Sequence, residues 1–196
     1  MDFYFDFASP YGYIAATRID DIAARHGRTV SWHPIMLSAM FKVSGMKAVM
    51  DQPLRGDYLL HDVPRFARLL GVPVTIPEKM PLHSLVAARA FWWLQPTDPA
   101  KAHALAKAIY HAHWGEGRDM ATVEQVAEVA EPLGISAADL AAGVQDQAVK
   151  DRLRAETERA VQRGVFGAPF ILVDDEPFWG ADRLDQIDQW LARGGW

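Results

Sequence analysis

The chain contains no cysteine. That absence excludes disulfides, thiolate metal sites and thiol catalysis by the protein's own side chains. It says nothing of compartment. No run approaches the roughly 18 consecutive apolar residues that signal a membrane helix, so none is expected and no membrane partner with it. The start of the chain lacks a basic stretch followed by an apolar one, so no export signal is read there and a cytoplasmic protein is expected. Lys and Arg form no dense block, and the formal net charge is −5. This points away from nucleic acid as a partner. Internal repeats and low-complexity tracts are also missing.

What is present is ordinary for a globular protein: 196 residues, 50% apolar and 23% charged. The length suits one large domain or two small ones with a proper core. Asp2 to Phe7 is short and aromatic, and reads as a buried strand. Ser9-Pro10 reads as a helix start, with Ser9 near the cap and Pro10 at the first helical position. The apolar spacing of Ile14, Ala15, Ile19 and Ile22 continues that helix to Gly27. Thr29 to His33 is a second strand, ended by Pro34. This strand-helix-strand unit has the length of a parallel crossover.

From about Met36 the period changes. Leu59, Leu60, Val63, Phe66, Leu69 and Leu70 recur at helical spacing, with Pro64 as a start, kink or break. Further helices are expected over 82–94, 100–114, 122–133, 136–144 and 146–163, while 42–56 reads as a loop. Strand signals return at Phe170 to Val173 and Pro177 to Trp179. A closing helix follows over 182–191. The order implies an α/β domain built from both chain ends, residues 1–37 and 155–196, with an all-helical insertion over 38–154.

Three short motifs carry the chemistry. Ser9 is a helix cap, or a hydroxyl that donates to a bound thiolate at a helix N-terminus. It lacks the Gly-x-Ser-x-Gly context of a hydrolase nucleophile. Ala168-Pro169 stands before an apolar strand and is expected to be a cis bond, which would turn the Ala168 backbone toward a peptide-like ligand. Asp182, after Trp179-Gly180-Ala181, caps a helix or binds a ligand's ammonium group. His111 and His113 at i,i+2 point to different faces of a helix, and no ligand spacing appears, so no metal is expected. Trp114 and Trp179 border glycines and are candidates to line a pocket. A serine at a strand-to-helix junction and a proline before a strand are the layout of a thioredoxin-type domain. Without cysteine, any reactive sulfur must arrive on a ligand.

Four segments extend this likeness: Phe5-Asp6-Phe7-Ala8-Ser9-Pro10-Tyr11, Trp114-Gly115-Glu116-Gly117, Gly164-Val165-Phe166-Gly167-Ala168-Pro169 and Phe178-Trp179-Gly180-Ala181-Asp182-Arg183-Leu184. Through them the chain resembles, over essentially its whole length, the 2-hydroxychromene-2-carboxylate isomerases. These belong with the kappa-class glutathione transferases and the DsbA-like branch of the thioredoxin superfamily. The resemblance implies a thioredoxin-like fold and glutathione as cofactor. It implies that Ser9 contacts the glutathione sulfur and that Ala168, beside Pro169, pairs with the cysteinyl backbone. Asp182 would hold the γ-glutamyl end, and Arg55 falls where kappa enzymes carry a basic residue on glutathione. Two positions depart. Met46 follows Ser44-Gly45 where relatives often have asparagine, and Ala181 replaces the serine before the aspartate in kappa enzymes.

The implied activity is glutathione-dependent cis-trans isomerisation of an aromatic ring-cleavage product, with a small aromatic substrate and a homodimeric protein. One alternative is a kappa-like transferase that conjugates electrophiles. The other is a non-catalytic thioredoxin-like module that binds extended peptides along the Pro169 edge.

Overall fold

The computed structural model describes all residues, 1–196. Its sheet has four strands: β1 (Asp2–Phe5), β2 (Ser31–Pro34), β3 (Phe170–Val173) and β4 (Glu176–Trp179). Their order is β2-β1-β3-β4. β1 pairs parallel with β2 and antiparallel with β3, with Phe3 opposite Ile171. The two ends of the chain therefore meet in the middle of one sheet.

Alternation along the strands divides the core. Phe3, Phe5, Ile171 and Val173 point to one face and join the main apolar cluster. Tyr4, Phe170 and Leu172 point to the other. All four residues of β3 are buried, as expected of a strand covered on both faces. The first face carries α1 (Pro10–Ala16), α2 (Ile19–Arg25) and α10 (Leu184–Arg193), and the same cluster runs on into the helical block. That block contains α4 (Arg55–Leu70), α5 (Leu85–Leu94), α6 (Pro99–Tyr110), α7 (Val123–Ala130) and α8 (Ala137–Gly143). The second face lies under α3 (Leu37–Ser44) and α9 (Gln147–Gln162), which supply Met40 and Ala160. Residue 154 falls within α9.

The structure departs from the sequence reading in several places. β1 stops at Phe5, not Phe7, because Asp6 turns the chain: its carbonyl accepts from Ser9 N at 2.8 Å and its carboxylate from Ala8 N at 2.9 Å. β2 is shifted, running to Pro34. As the last residue of an edge strand, Pro34 takes no ladder bond from a second neighbour. The helix expected from Pro10 to Gly27 is broken at Thr17-Arg18, where the Thr17 hydroxyl donates to Ile14 O at 2.7 Å. The segment read as a loop from 42 begins inside α3 and holds a 3₁₀ turn, Val49–Asp51. Helix α4 runs straight through Pro64. The helix read to Trp114 ends at Tyr110 and passes into a π-type turn, His111–Gly115.

Candidate active site

The start of α1 and the turn before β3 meet at the wall of one cleft. Ser9 adopts the extended cap conformation and Pro10 the first helical position. The Ser9 hydroxyl accepts from Gly12 N at 3.1 Å and donates to Ala168 O at 3.0 Å. The cap reading is thus realised, and the same oxygen also joins two segments 159 residues apart. Ser9 is only 6% exposed. The Ala168–Pro169 bond is cis, and so is Met80–Pro81, which carried no sequence signal.

Glycine is required where these segments pack. A Cβ on Gly12 would lie 2.5 Å from the Tyr110 hydroxyl, which donates to Asp6 O. A Cβ on Gly167 would lie 2.5 Å from Trp179 Nε1. Trp114 fixes the loop from β1 to α1 by donating to Phe7 O at 2.9 Å.

The cleft encloses about 1450 Å³ and is lined by Ser9, Arg55, Ala168, Pro169, Ala181 and Asp182 together. Every site residue singled out in the sequence is brought to this one space. Arg55 opens α4, and its Nη1 donates to Gln52 Oε1 at 2.8 Å. Asp182 makes no capping bond, since Gly180 precedes its short helical turn. Its carboxylate is 61% exposed and meets Arg183 at 3.2 Å. Met46, Trp114 and Trp179 also line the cleft. Methionine and aromatic side chains of α3, α4 and the 80–85 segment give it an apolar flank.

Two features escaped the sequence reading. Asp6 lines the cleft but is only 3% exposed. Burial pushes its ionisation up, against the hydroxyl of Ser84 and the N–H groups of Ala8 and Leu37. Its place inside the Phe5-Asp6-Phe7 segment, a charge between two buried aromatics, was the available signal. The second is a polar group of Tyr11, Tyr58, Asp62 and Arg65. Tyr58, Asp62 and Arg65 stand at i, i+4 and i+7, one face of α4. His111 and His113 diverge as their spacing implies: His111 meets Glu116 at 3.5 Å, and buried His113 bonds to Arg118 O at 2.8 Å.

Comparison with known proteins agrees with this fold. The DSBA-like thioredoxin domain family matches residues 1–192. A 2-hydroxychromene-2-carboxylate isomerase of Sphingobium xenophagum is 33% identical over 193 residues, covering 97% of each chain. Glutathione S-transferase kappa 2 of Caenorhabditis elegans is 29% identical over 98% of this chain and 91% of its own. The solved structure of a 2-hydroxychromene-2-carboxylate isomerase superposes with a TM-score of 0.89 at 31% identity, over 98% of this chain and 94% of that one. The chain belongs to the DSBA-like thioredoxin family, in the branch that holds the 2-hydroxychromene-2-carboxylate isomerases and, further off, the kappa glutathione transferases.

Proposed function

We propose that the protein is a glutathione-dependent isomerase acting on 2-hydroxychromene-2-carboxylate or a related aromatic ring-cleavage product, to give the trans-benzylidenepyruvate. The carrying observation is the 3.0 Å contact between Ser9 Oγ and Ala168 O in the wall of a large, apolar-flanked cleft. When bound, glutathione would supply a thiolate nucleophile for reversible addition to the conjugated carbon of the ring-opened substrate, in which the hemiketal C–O bond has broken to phenol and ketone and the carbon–carbon bond is free to rotate.

The residues suit that ligand. Ser9 has one hydroxyl proton, now given to Ala168 O. An amide N–H of the cofactor's cysteinyl unit can take over Ala168 O as a strand edge would. The Ser9 proton is then free to stabilise the sulfur anion. Asp182 presents an exposed carboxylate for the γ-glutamyl ammonium, and Arg55 a guanidinium for a carboxylate. Ala181 and Met46 offer no polar side-chain atom beside them. Each contact so lost typically removes about 0.5–1.5 kcal/mol of binding. Trp179, half exposed in the lining of the cleft, lies where an aromatic substrate can stack.

Relatives at 33% and 31% identity carry the isomerase name while the kappa transferases stand at 29% and below, which favours this reading over conjugation. A free reduced thiol as working nucleophile suits a reducing compartment, which supports a cytoplasmic location. The resemblance further supports a homodimer.

The test is substrate conversion followed with and without glutathione, alongside calorimetry of glutathione binding. Catalytic, unconsumed glutathione is expected. Accumulating conjugate would make the protein a transferase. Conversion without glutathione, or no conversion with it bound, would overturn the reading.

A further inference from the structure

Helix α4 lays Arg55, Leu59, Asp62, Phe66 and Leu69 along the cleft, at i, i+4, i+7, i+11 and i+14. Arg65 flanks this stripe and also lines the cleft. It stands ten positions after Arg55, about 15 Å along the axis. One helix therefore brings two separate cations to one space.

Arg65 is held on several sides. Its Nη2 donates to the Tyr58 hydroxyl at 2.9 Å and to the Asp62 carboxylate. Its guanidinium lies 5.7 Å from the centre of the Tyr58 ring. Asp62 accepts in addition from the Tyr58 hydroxyl at 3.3 Å and from the Tyr11 hydroxyl at 2.5 Å. Tyr11 comes from α1, two residues after Ser9, so the group is tied to the wall that carries Ser9. Burial of Tyr11 and the adjacent Asp62 carboxylate push the phenol's ionisation up, which keeps it a donor. The Asp62 charge is thus shared among three donors, and burial of its carboxyl is outweighed by the bonds from Tyr11 and Arg65.

What remains free on Arg65 is directional. Both hydrogens of Nη2 are engaged, and Nε and Nη1 have no acceptor in the chain. Its side chain is half exposed. The other cleft cations are placed differently. Arg183 pairs with Asp182, Arg55 bonds Gln52, and Lys47 sits on the irregular segment after α3 with no anchor. A preorganised guanidinium beside the apolar flank of Phe66 and Leu69 matches a ligand that joins an aryl group to a carboxylate.

We propose that Arg65, positioned by Tyr58 and Asp62, anchors the carboxylate of the substrate, so that the cleft selects aryl acids over their neutral analogues. This rests on reading the cleft as the isomerase site, but its test does not require turnover.

The experiment is calorimetric titration of trans-cinnamate and of cinnamamide, with reduced glutathione present, into wild type, Arg65→Gln and Arg65→Lys. Wild type should bind the acid at least about tenfold more tightly than the amide, the span of one charge-assisted hydrogen bond. Arg65→Gln should remove that preference by weakening the acid alone, and Arg65→Lys should restore part of it. Glutathione affinity should stay unchanged in both variants. Equal affinities in wild type, no binding of the acid, a preference that survives Arg65→Gln, or equal weakening of the amide would each overturn the proposal. Acid preference that depends on Arg65 in a protein without glutathione-dependent turnover would support the anchor and refute the isomerase reading.

Discussion

Ser9 does two things with one oxygen. It caps α1 through Gly12 N and reaches Ala168 O across the cleft wall. Ser9→Ala removes both contacts and the proposed donor to sulfur. Turnover should fall by about 10- to 150-fold, since a hydrogen bond to a charged acceptor carries about 1.5–3 kcal/mol. Folding should survive a cap loss of about 1 kcal/mol. The deficit should shrink at higher pH, where more thiolate forms unaided. A pH–rate profile of both proteins checks this, and superimposable profiles would leave Ser9 as a cap alone. Asp6 offers a stability counterpart. Its folded value is raised from the ordinary 3.8, first by burial. A raised folded value means the folded state holds its proton more tightly. The stability it contributes is present below 3.8 and lost as pH rises through the folded value. Asn cannot titrate, so the stability of wild type minus that of Asp6→Asn should fall as pH rises above 3.8. Urea unfolding at several pH values reads this difference, and a flat or rising difference would contradict it.

At the scale of elements, local rules yield where packing decides. Pro64 should break a helix, yet α4 continues because Val63 and Ala67 beside it are buried in the helical block. Thr17 divides α1 from α2 by a local side-chain bond, letting each short helix present its own apolar residues to the sheet. The close approach of α8 to α5 depends on a missing side chain. A Cβ on Gly143 would lie 2.4 Å from the Trp93 ring. Gly143→Ala should therefore destabilise the fold by about 1–3 kcal/mol, as overpacking does, although alanine is the better helix former. Thermal or urea unfolding measures it. Glutathione affinity should not change, since Gly143 is outside the cleft. A neutral or stabilising result would mean that the two helices separate at little cost.

For the whole molecule, the cleft exists because the chain's ends share a sheet while the helical block returns over one side. Ser9 lies near the first end, Ala168 and Asp182 near the second, and Arg55 within the block. The family resemblance leads us to expect a homodimer. Light scattering at micromolar concentration should give about twice the 21.9 kDa chain mass, and a value near the single chain would refute it.

Composition and local pattern set the chemistry available and the class of fold. With no cysteine, the protein can offer a hydroxyl, a cis-proline edge and charges, and no thiol of its own. The aromatic run Phe3–Phe5 and the apolar run Phe170–Val173 specify strands, because short runs of aromatic and branched side chains between turn residues favour an extended backbone locally. Capping at Ser9 was legible for the same reason. Which distant groups meet depends on packing in three dimensions. The Ser9–Ala168 contact spans 159 positions, the Tyr11–Asp62 contact 51, and the burial that raises Asp6 depends on helices far along the chain. Desolvation and hydrogen-bond partnership are set by neighbours in space. No spacing rule along the chain encodes them.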